Sequence, residues 1–203
     1  MLVSSAIIQD IEKLQKAGSA SLAFFYFDST EVHKKDQREL LSSLLVQLCH
    51  QTDSYRDILS SFYAAHSNGV QNPGNDALVG CLKELLSVQR QGQVFLILDG
   101  LDKCSNTGLL SPREEVLILL KELINSKFPH LYICVTSRPE KDIQSVLVPL
   151  TSQSHSISLH DESGHKDDIN NYIKFFVNKN LNSWSIEDKG WVVNVLSEQA
   201  DGR

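Results

Sequence analysis

Three runs of consecutive apolar residues stand out along the chain, and each of them ends in polar side chains. They are LAFFYFD at 22–28, VFLILD at 94–99 and LYICVTSRP at 131–139. Runs without regular polar alternation are typical of strands that are buried on both faces of a sheet. A further segment, HSISLH at 155–160, alternates polar and apolar residues and predicts a fourth, shorter strand.

The segments between these runs carry apolar residues at helical spacing. They predict a helix from the first residue to about Leu14, with a stop at Gly18, and helices near 40–48, 53–66, 78–86, 111–123 and 143–147. Ser111, Pro112 and Glu114 favour a helix start in which serine caps, proline takes the first position and glutamate completes a capping box. Two more helices are predicted from Asp167 onward, the second capped by Ser185.

Strands that alternate with helices in this way predict an α/β fold, with a parallel sheet and helices on both faces. The composition changes near residue 160, beyond which the pattern is helical. We therefore expect an α/β core at 1–160 and the beginning of a helical subdomain at 161–203.

The composition is that of an ordinary globular chain and excludes some classes of partner. The 203 residues are 41% hydrophobic and 22% charged, with a net charge of −6, which argues against a nucleic-acid surface. No apolar run approaches the ~18 residues of a membrane span. The four cysteines form no CxxC pair and are expected to be buried free thiols: Cys49, Cys81, Cys104 and Cys134. Without a basic leader at the N-terminus, the sequence predicts a cytoplasmic protein.

Candidate chemistry lies where the predicted strands end, because ligands of parallel sheets bind beyond the carboxyl ends of the strands. Asp99 ends the most hydrophobic strand, Gly100 permits a turn, and Asp102 returns a second carboxylate. Carboxylate oxygens suit Mg²⁺, often through water. The alternative is that Asp99 only caps the following loop.

The third strand ends in Thr136, Ser137 and Arg138. A guanidinium at this point can neutralise a terminal phosphate while the hydroxyls donate beside it. The alternative is a surface arginine held in place by Pro139. Asp28, at the end of the first strand, is assigned to an ordinary loop unless it lies beside Asp99.

Taken together, these segments resemble a known family. LAFFYFD, LLSSLLVQLC, VFLILDGLDKC, LYICVTSRPE and DDINNYI follow one another as in the NACHT-type NTPases of the STAND class of P-loop proteins. The chain is most similar to the nephrocystin-3-like N-terminal domain of fungal NOD-like receptor proteins. The similarity covers nearly the whole chain, in order.

The resemblance implies a role for each strand end. VFLILDGLD corresponds to the Walker B strand, with Asp99 on the Mg²⁺ side and Asp102 as the catalytic acidic residue. VTSRP corresponds to the sensor 1 strand, where Thr136, Ser137 and Arg138 would face the nucleotide. Proteins of this kind resemble ATP- or GTP-dependent switches that self-associate through the nucleotide domain when a C-terminal repeat sensor is engaged.

Two departures from the family pattern change this picture. Lys103 stands where the family usually has glutamate, so hydrolysis is expected to be slow while binding survives. No GxxxxGK[ST] phosphate loop occurs in the 203 residues, and the family carries that loop just before the first helix. We therefore expect a truncated piece that binds nucleotide weakly or not at all, with a missing inner strand that leaves it marginally stable.

Three functions remain open from the sequence. The first is the partial nucleotide-binding switch, with Mg²⁺ and ATP or GTP held in the longer protein. The second is a non-catalytic module for protein–protein interaction or oligomerisation. The third is a Mg²⁺-dependent phosphoryl-transfer enzyme, which requires Asp28 to lie close to Asp99 and Asp102.

Overall fold

The computed structural model describes residues 2–30, 36–88, 92–108, 110–152, 155–158, 163–181 and 184–200. The chain divides into two compact units, 1–150 and 151–203. The division of the chain by function into a nucleotide-binding core and a helical subdomain stays a prediction.

The first unit is an α/β unit in which helices alternate with three strands. The strands are β1 (Ala20–Tyr26), β2 (Gln93–Asp99) and β3 (Leu131–Val135). The helices are α1 (Leu2–Lys16), α2 (Gln37–Cys49), α3 (Asp53–Ala65), α4 (Asn75–Leu86), α5 (Pro112–Asn125) and α6 (Lys141–Leu147). The apolar patterns therefore predicted the type and approximate place of each of these elements. At the start of α5 the predicted cap is confirmed, because the Ser111 hydroxyl accepts from the Glu114 amide at 3.2 Å.

The three strands form one parallel sheet in the order β1–β2–β3. Tyr26 pairs with Asp99 on one side of β2, and Leu98 pairs with Val135 on the other. All three strands consequently end at the same edge of the sheet, and the α/β fold class with a parallel sheet is confirmed.

Helices cover both faces of the sheet, as the continuous apolar runs predicted. On one face, α1 places Ile8 and Ile11 against Leu22 and Ile97. On the other face, α2, α4 and α5 bury a larger set of leucines against alternate strand positions such as Leu96. Both faces of β2 are therefore buried from Leu96 to Asp99.

The outer edge of β1 is covered by two glutamines of α2. Gln47 accepts from the Phe24 amide at 3.0 Å and donates to the Phe24 carbonyl at 2.7 Å. One turn later, Gln51 makes the same pair of bonds with Leu22, at 2.9 and 2.5 Å. These side chains replace the backbone groups of a neighbouring strand, so the edge is satisfied without one.

The fourth strand predicted at 155–160 was wrong for the part that the structure describes. Residues 155–158 form no strand, and residues 159 and 160 lie outside the described ranges. The side chain of Ile157 is 74% exposed, so this apolar position has no sheet face on which to pack. Within the described residues β3 is the last strand of the sheet, and its side chains are only partly buried except for the exposed Tyr132.

The second unit contains two helices, α7 (Ser163–Asn180) and α8 (Ile186–Ala200). The Asp188 amide donates to the Ser185 hydroxyl at 3.1 Å, which confirms the predicted cap of α8. Several large apolar side chains on these helices are more than half exposed, among them Tyr172, Phe175 and Trp191. Within the described residues, none of the helices combines the length and apolarity that a membrane span requires.

Candidate functional site

The side chains of interest lie where β2 and β3 end, and Asp99 is the buried centre of this region. Asp99 is the last residue of β2 and is only 4% exposed. Two hydroxyls donate to its Oδ1 atom: Thr136, at 2.6 Å, and Ser4 of α1. Both hydrogen bonds thus go to the same carboxylate oxygen.

The Asp99 carboxylate is ionised at neutral pH despite its burial. Burial alone raises the pKa of Asp99, but the hydrogen bonds from Ser4 and Thr136, together with the charges of the amino terminus and of Lys103, outweigh this effect, so its pKa is lowered. A buried carboxylate that stays charged is a favourable partner for a cation.

Thr136 ties the ends of β2 and β3 together. Its hydroxyl donates to Asp99 and also accepts from the Gly100 amide at 3.0 Å. Its carbonyl accepts from the amides of Gly100 and Leu101 at 3.1 and 3.0 Å. Gly100 has φ of +73°, a conformation in which a side chain is strained, so glycine allows β2 to turn away directly after Asp99.

The second carboxylate, Asp102, faces the loop after β3 rather than Asp99. Asp102 lies in the short helical turn Leu101–Lys103, and its side chain is 10% exposed. Its Oδ1 atom accepts from the Arg138 amide at 3.1 Å, and its Oδ2 atom lies 3.5 Å from Arg138 Nε. The rest of the Arg138 side chain projects into solvent, with 82% of its surface exposed.

Lys103 lies over the turn, at the position where the family pattern expects glutamate. The Lys103 side chain packs against Gly100, and its Cδ, Cε and Nζ atoms would lie 3.4–3.5 Å from the Cβ atom of any larger residue at position 100. The ammonium is close enough to help lower the pKa of Asp99. A positive charge therefore already lies near the buried carboxylate.

The structure brings together only some of the predicted residues. Asp99 with Thr136, and Asp102 with Arg138, form two adjacent pairs. Ser137 is exposed and donates to the Arg138 carbonyl, and Asp28 accepts from Thr30 in a local turn. The described residues contain no group of three His, Cys, Asp or Glu side chains that could hold a metal ion. The phosphoryl-transfer interpretation required Asp28, Asp99 and Asp102 to form such a group, so it loses its basis.

Two residues of this region were missed in the sequence, Ser4 and Arg113. Ser4 is fully buried and bonds to Asp99, and the Arg113 side chain is 5% exposed. The available signal was helical spacing. Ser4 shares a face with Ile8 and Ile11, and Arg113 shares one with Val116. A polar residue on the core-facing stripe of a helix requires a buried partner.

Arg113 links the loop after β2 to the loop after β3. Its Nε atom donates to the Cys104 carbonyl at 3.1 Å, and Nη2 donates to the Asp102 carbonyl at 2.5 Å. Its Nη1 atom pairs with Glu140 and, at 3.1 Å, with Asp142. Burial alone lowers the pKa of Arg113, but the two carboxylates more than offset this and raise its pKa, so the guanidinium stays charged.

A shallow cleft of about 490 Å³ lies elsewhere, between β1 and α2. Among its polar lining residues, Gln47 is already bonded to the β1 backbone. None of the predicted site residues lines this cleft, so it does not change the assignment of the candidate site to the ends of β2 and β3.

The chain is similar in sequence to one described protein family. Residues 1–138 match the family model described as nephrocystin 3, N-terminal. The match covers more than half of the chain. The chain belongs to the nephrocystin 3 N-terminal family.

The part that matches this family includes all three strands and ends at Arg138. Asp99, Asp102 and Thr136 therefore lie within it. A search of curated proteins found no significant match. The family match thus covers the whole of the candidate site at the ends of β2 and β3.

Proposed function

We propose that this nephrocystin 3 N-terminal chain is part of a nucleotide-binding switch of the NACHT type. Its ligand is the Mg²⁺ complex of ATP or GTP, at the carboxyl ends of β2 and β3. The observation that carries the proposal is Asp99, a buried carboxylate that stays ionised and whose two described donors both bond to Oδ1.

The residues present fit a magnesium ion. Asp99 Oδ2 is a hard oxygen ligand, and the hydroxyl of Ser4 lies against the same carboxylate. Mg²⁺ is usually bound through one or two carboxylates, with water and substrate phosphates completing the shell. Asp99 supplies the one carboxylate that this requires, while Asp102 pairs with Arg138. When bound, the metal would neutralise phosphate charge, and the protein would supply the fixed orientation of Asp99.

Arg138 is the residue that would meet the terminal phosphate. Asp102 holds its backbone and Nε, while most of the guanidinium faces solvent. A planar guanidinium matches phosphate oxygens with two parallel hydrogen bonds. The amide cradle of a GxxxxGK[ST] loop does not occur among the 203 residues, so we expect these residues alone to bind weakly.

Hydrolysis is expected to be slow because Lys103 cannot act as a carboxylate base. Asp102 is occupied by Arg138, and so it is oriented to position Arg138 rather than to activate water. These features favour a switch that responds to nucleotide binding rather than an enzyme that hydrolyses nucleotide rapidly. We further propose self-association through this nucleotide-binding unit.

Titration by NMR with Mg²⁺-ATP and Mg²⁺-GTP tests the proposal, because chemical shifts detect binding even in the millimolar range. We expect saturable shifts of the Gly100, Leu101 and Arg138 amides. Asp99→Ala and Arg138→Ala should each remove them, while the matched control Asp28→Asn should retain them. An absence of shifts at any of these amides with either nucleotide would refute the proposal.

The second candidate is an interaction module without nucleotide chemistry. It is favoured by the positive charge of Lys103 beside Asp99 and by the exposed aromatic side chains of α7 and α8. In this case Asp99→Ala and Arg138→Ala leave self-association unchanged, which light scattering would measure. Loss of self-association in both variants would instead support the switch.

A further inference from the structure

We infer that Arg113 is a positioning residue that couples the two loops of the candidate site, so that Asp102 and Arg138 move as one unit. The expected effect of Arg113 on nucleotide binding rests on the proposed function. The contacts of Arg113 do not depend on nucleotide. Arg113 donates to two carbonyls of the loop after β2 and pairs with two carboxylates at the start of α6.

The two loops have no covalent link shorter than a whole helix and strand. Asp102 and Arg138 are 36 residues apart, and α5 and β3 lie between them. Besides the bonds of Thr136 to Gly100 and Leu101, two side-chain connections among the described residues hold the loops together at this edge. One is the Asp102–Arg138 contact on the exposed side, and the other is Arg113 on the buried side.

The two connections act on the same short segments. Asp102 presents its carbonyl to Arg113 and its carboxylate to Arg138. Glu140 pairs with Arg113, and its amide donates to the Arg138 carbonyl at 2.8 Å. A displacement of either loop thus strains both connections. The two loops are therefore expected to move together.

The fork of an arginine is required for this role. Two carbonyls lie on one side of the guanidinium and two carboxylates on the other, and only a planar group with several N–H donors satisfies both at once. Lysine keeps the charge, but its single ammonium reaches one side. Removing the partners leaves a buried charge without compensation, which is costly.

The first experiment needs no nucleotide. The double substitution Glu140→Gln with Asp142→Asn alters the loop after β3, and amide hydrogen exchange is measured in the turn after β2. We expect the Lys103 and Cys104 amides, which bond to Gly100 and Leu101, to exchange at least about tenfold faster. Unchanged exchange at these two amides would overturn the coupling, because a local role at α6 would not reach them.

The second experiment compares two arginine-to-lysine variants in the Mg²⁺-ATP titration. With Arg113→Lys, the Kd obtained from the shift of the Arg138 amide should rise about tenfold. Arg38→Lys is the matched control, since Arg38 also joins two segments, bonding to Pro73 at 2.7 Å and to Asn72, but lies outside the site. If both variants lose the same thermal stability and weaken nucleotide binding equally, Arg113 has only a structural role.

The two experiments separate the inference from the proposed function. If the wild-type chain shows no nucleotide shifts while the exchange result holds, the nucleotide proposal fails and the coupling stands. If nucleotide binds and the double substitution leaves Lys103 and Cys104 unchanged, the coupling fails and the nucleotide proposal stands.

Discussion

At the scale of single residues, the carboxyl end of the sheet is held by hydroxyl and charged side chains that pair with one another. Ser4 and Thr136 both donate to Asp99, and Arg113 compensates carbonyl and carboxylate oxygens on two loops. Each of these side chains has a partner of complementary chemistry. Such groups contribute to stability only while the partner is present, because an unpaired buried group keeps its desolvation cost.

Thr136→Val removes the hydroxyl without changing the shape of the side chain. The Asp99 carboxylate loses one donor and the Gly100 amide loses one acceptor, so we expect unfolding to become easier by about 1–3 kcal/mol. The pKa of Asp99 should rise. Urea unfolding and carboxyl NMR titration measure the two effects. The matched control Thr107→Val, at an exposed hydroxyl, should stay within about 0.5 kcal/mol of wild type.

The lowered pKa of Asp99 predicts a pH dependence of stability. Its folded pKa lies below the ordinary value of 3.8, so the ionised group stabilises the fold above that pH and loses this contribution as acid protonates it. The free energy of unfolding of Asp99→Asn should therefore approach that of wild type below about pH 4. Urea unfolding between pH 7 and pH 3 tests this. A constant gap between Asp99→Asn and wild type across this range would contradict the prediction.

At the scale of elements, the two edges of the sheet differ in how their backbone groups are covered. The β1 edge is covered by Gln47 and Gln51 of α2, whose amide groups reproduce the hydrogen bonds of a neighbouring strand. The β3 edge carries no comparable cover among the described residues, and Tyr132 is 47% exposed there.

Gln47→Ala with Gln51→Ala should uncover the β1 edge. Four backbone groups of Leu22 and Phe24 would lose their partners, so we expect destabilisation of several kcal/mol, at about 1–3 kcal/mol for each buried group left unpaired. Alanine favours the helix, so a loss of stability cannot come from helix propensity. Thermal unfolding measures the effect, with Gln9→Ala in α1 as an exposed control. A melting temperature equal to that of the control would show that the glutamine bonds contribute nothing.

At the scale of the whole molecule, the first unit buries three of its four thiols, and the predicted free thiols are confirmed. Cys49, Cys81 and Cys104 are buried, Cys134 is partly buried, and all four are free. Burial raises the pKa of Cys81 and of Cys104 to about 11, and it is also the main cause of the raised pKa of Cys134. Thiolates, which are the reactive form, are therefore rare in the folded chain at neutral pH.

The thiols should serve as a probe of global unfolding. At pH 8 we expect Cys81 and Cys104 to react with iodoacetamide only as fast as the first unit opens, because raised pKa values keep both protonated. Addition of urea should release all four cysteines together. Mass spectrometry of the labelled peptides follows each site. Rapid labelling of Cys81 in the native chain would contradict the buried position given by the structure.

The sequence by itself determined the elements and the edge at which their chemistry lies. Continuous apolar runs require two covered faces, and parallel strands place Asp99 and Thr136 side by side, so the fold class and part of the candidate site followed from local pattern. The absence of a strand at 155–158 did not follow from the pattern, because an alternating segment forms a strand only when it pairs with a neighbouring strand and packs on one face.

Only the tertiary structure decided which polar groups meet. Ser4 bonds to Asp99 across 95 residues of sequence, and Arg113 joins two loops that the chain separates by a helix and a strand. Such contacts depend on how helices dock on the sheet, and helical spacing shows only that a polar residue faces inward. Periodicity is a property of neighbours along the chain, whereas a hydrogen bond depends on a distance in space.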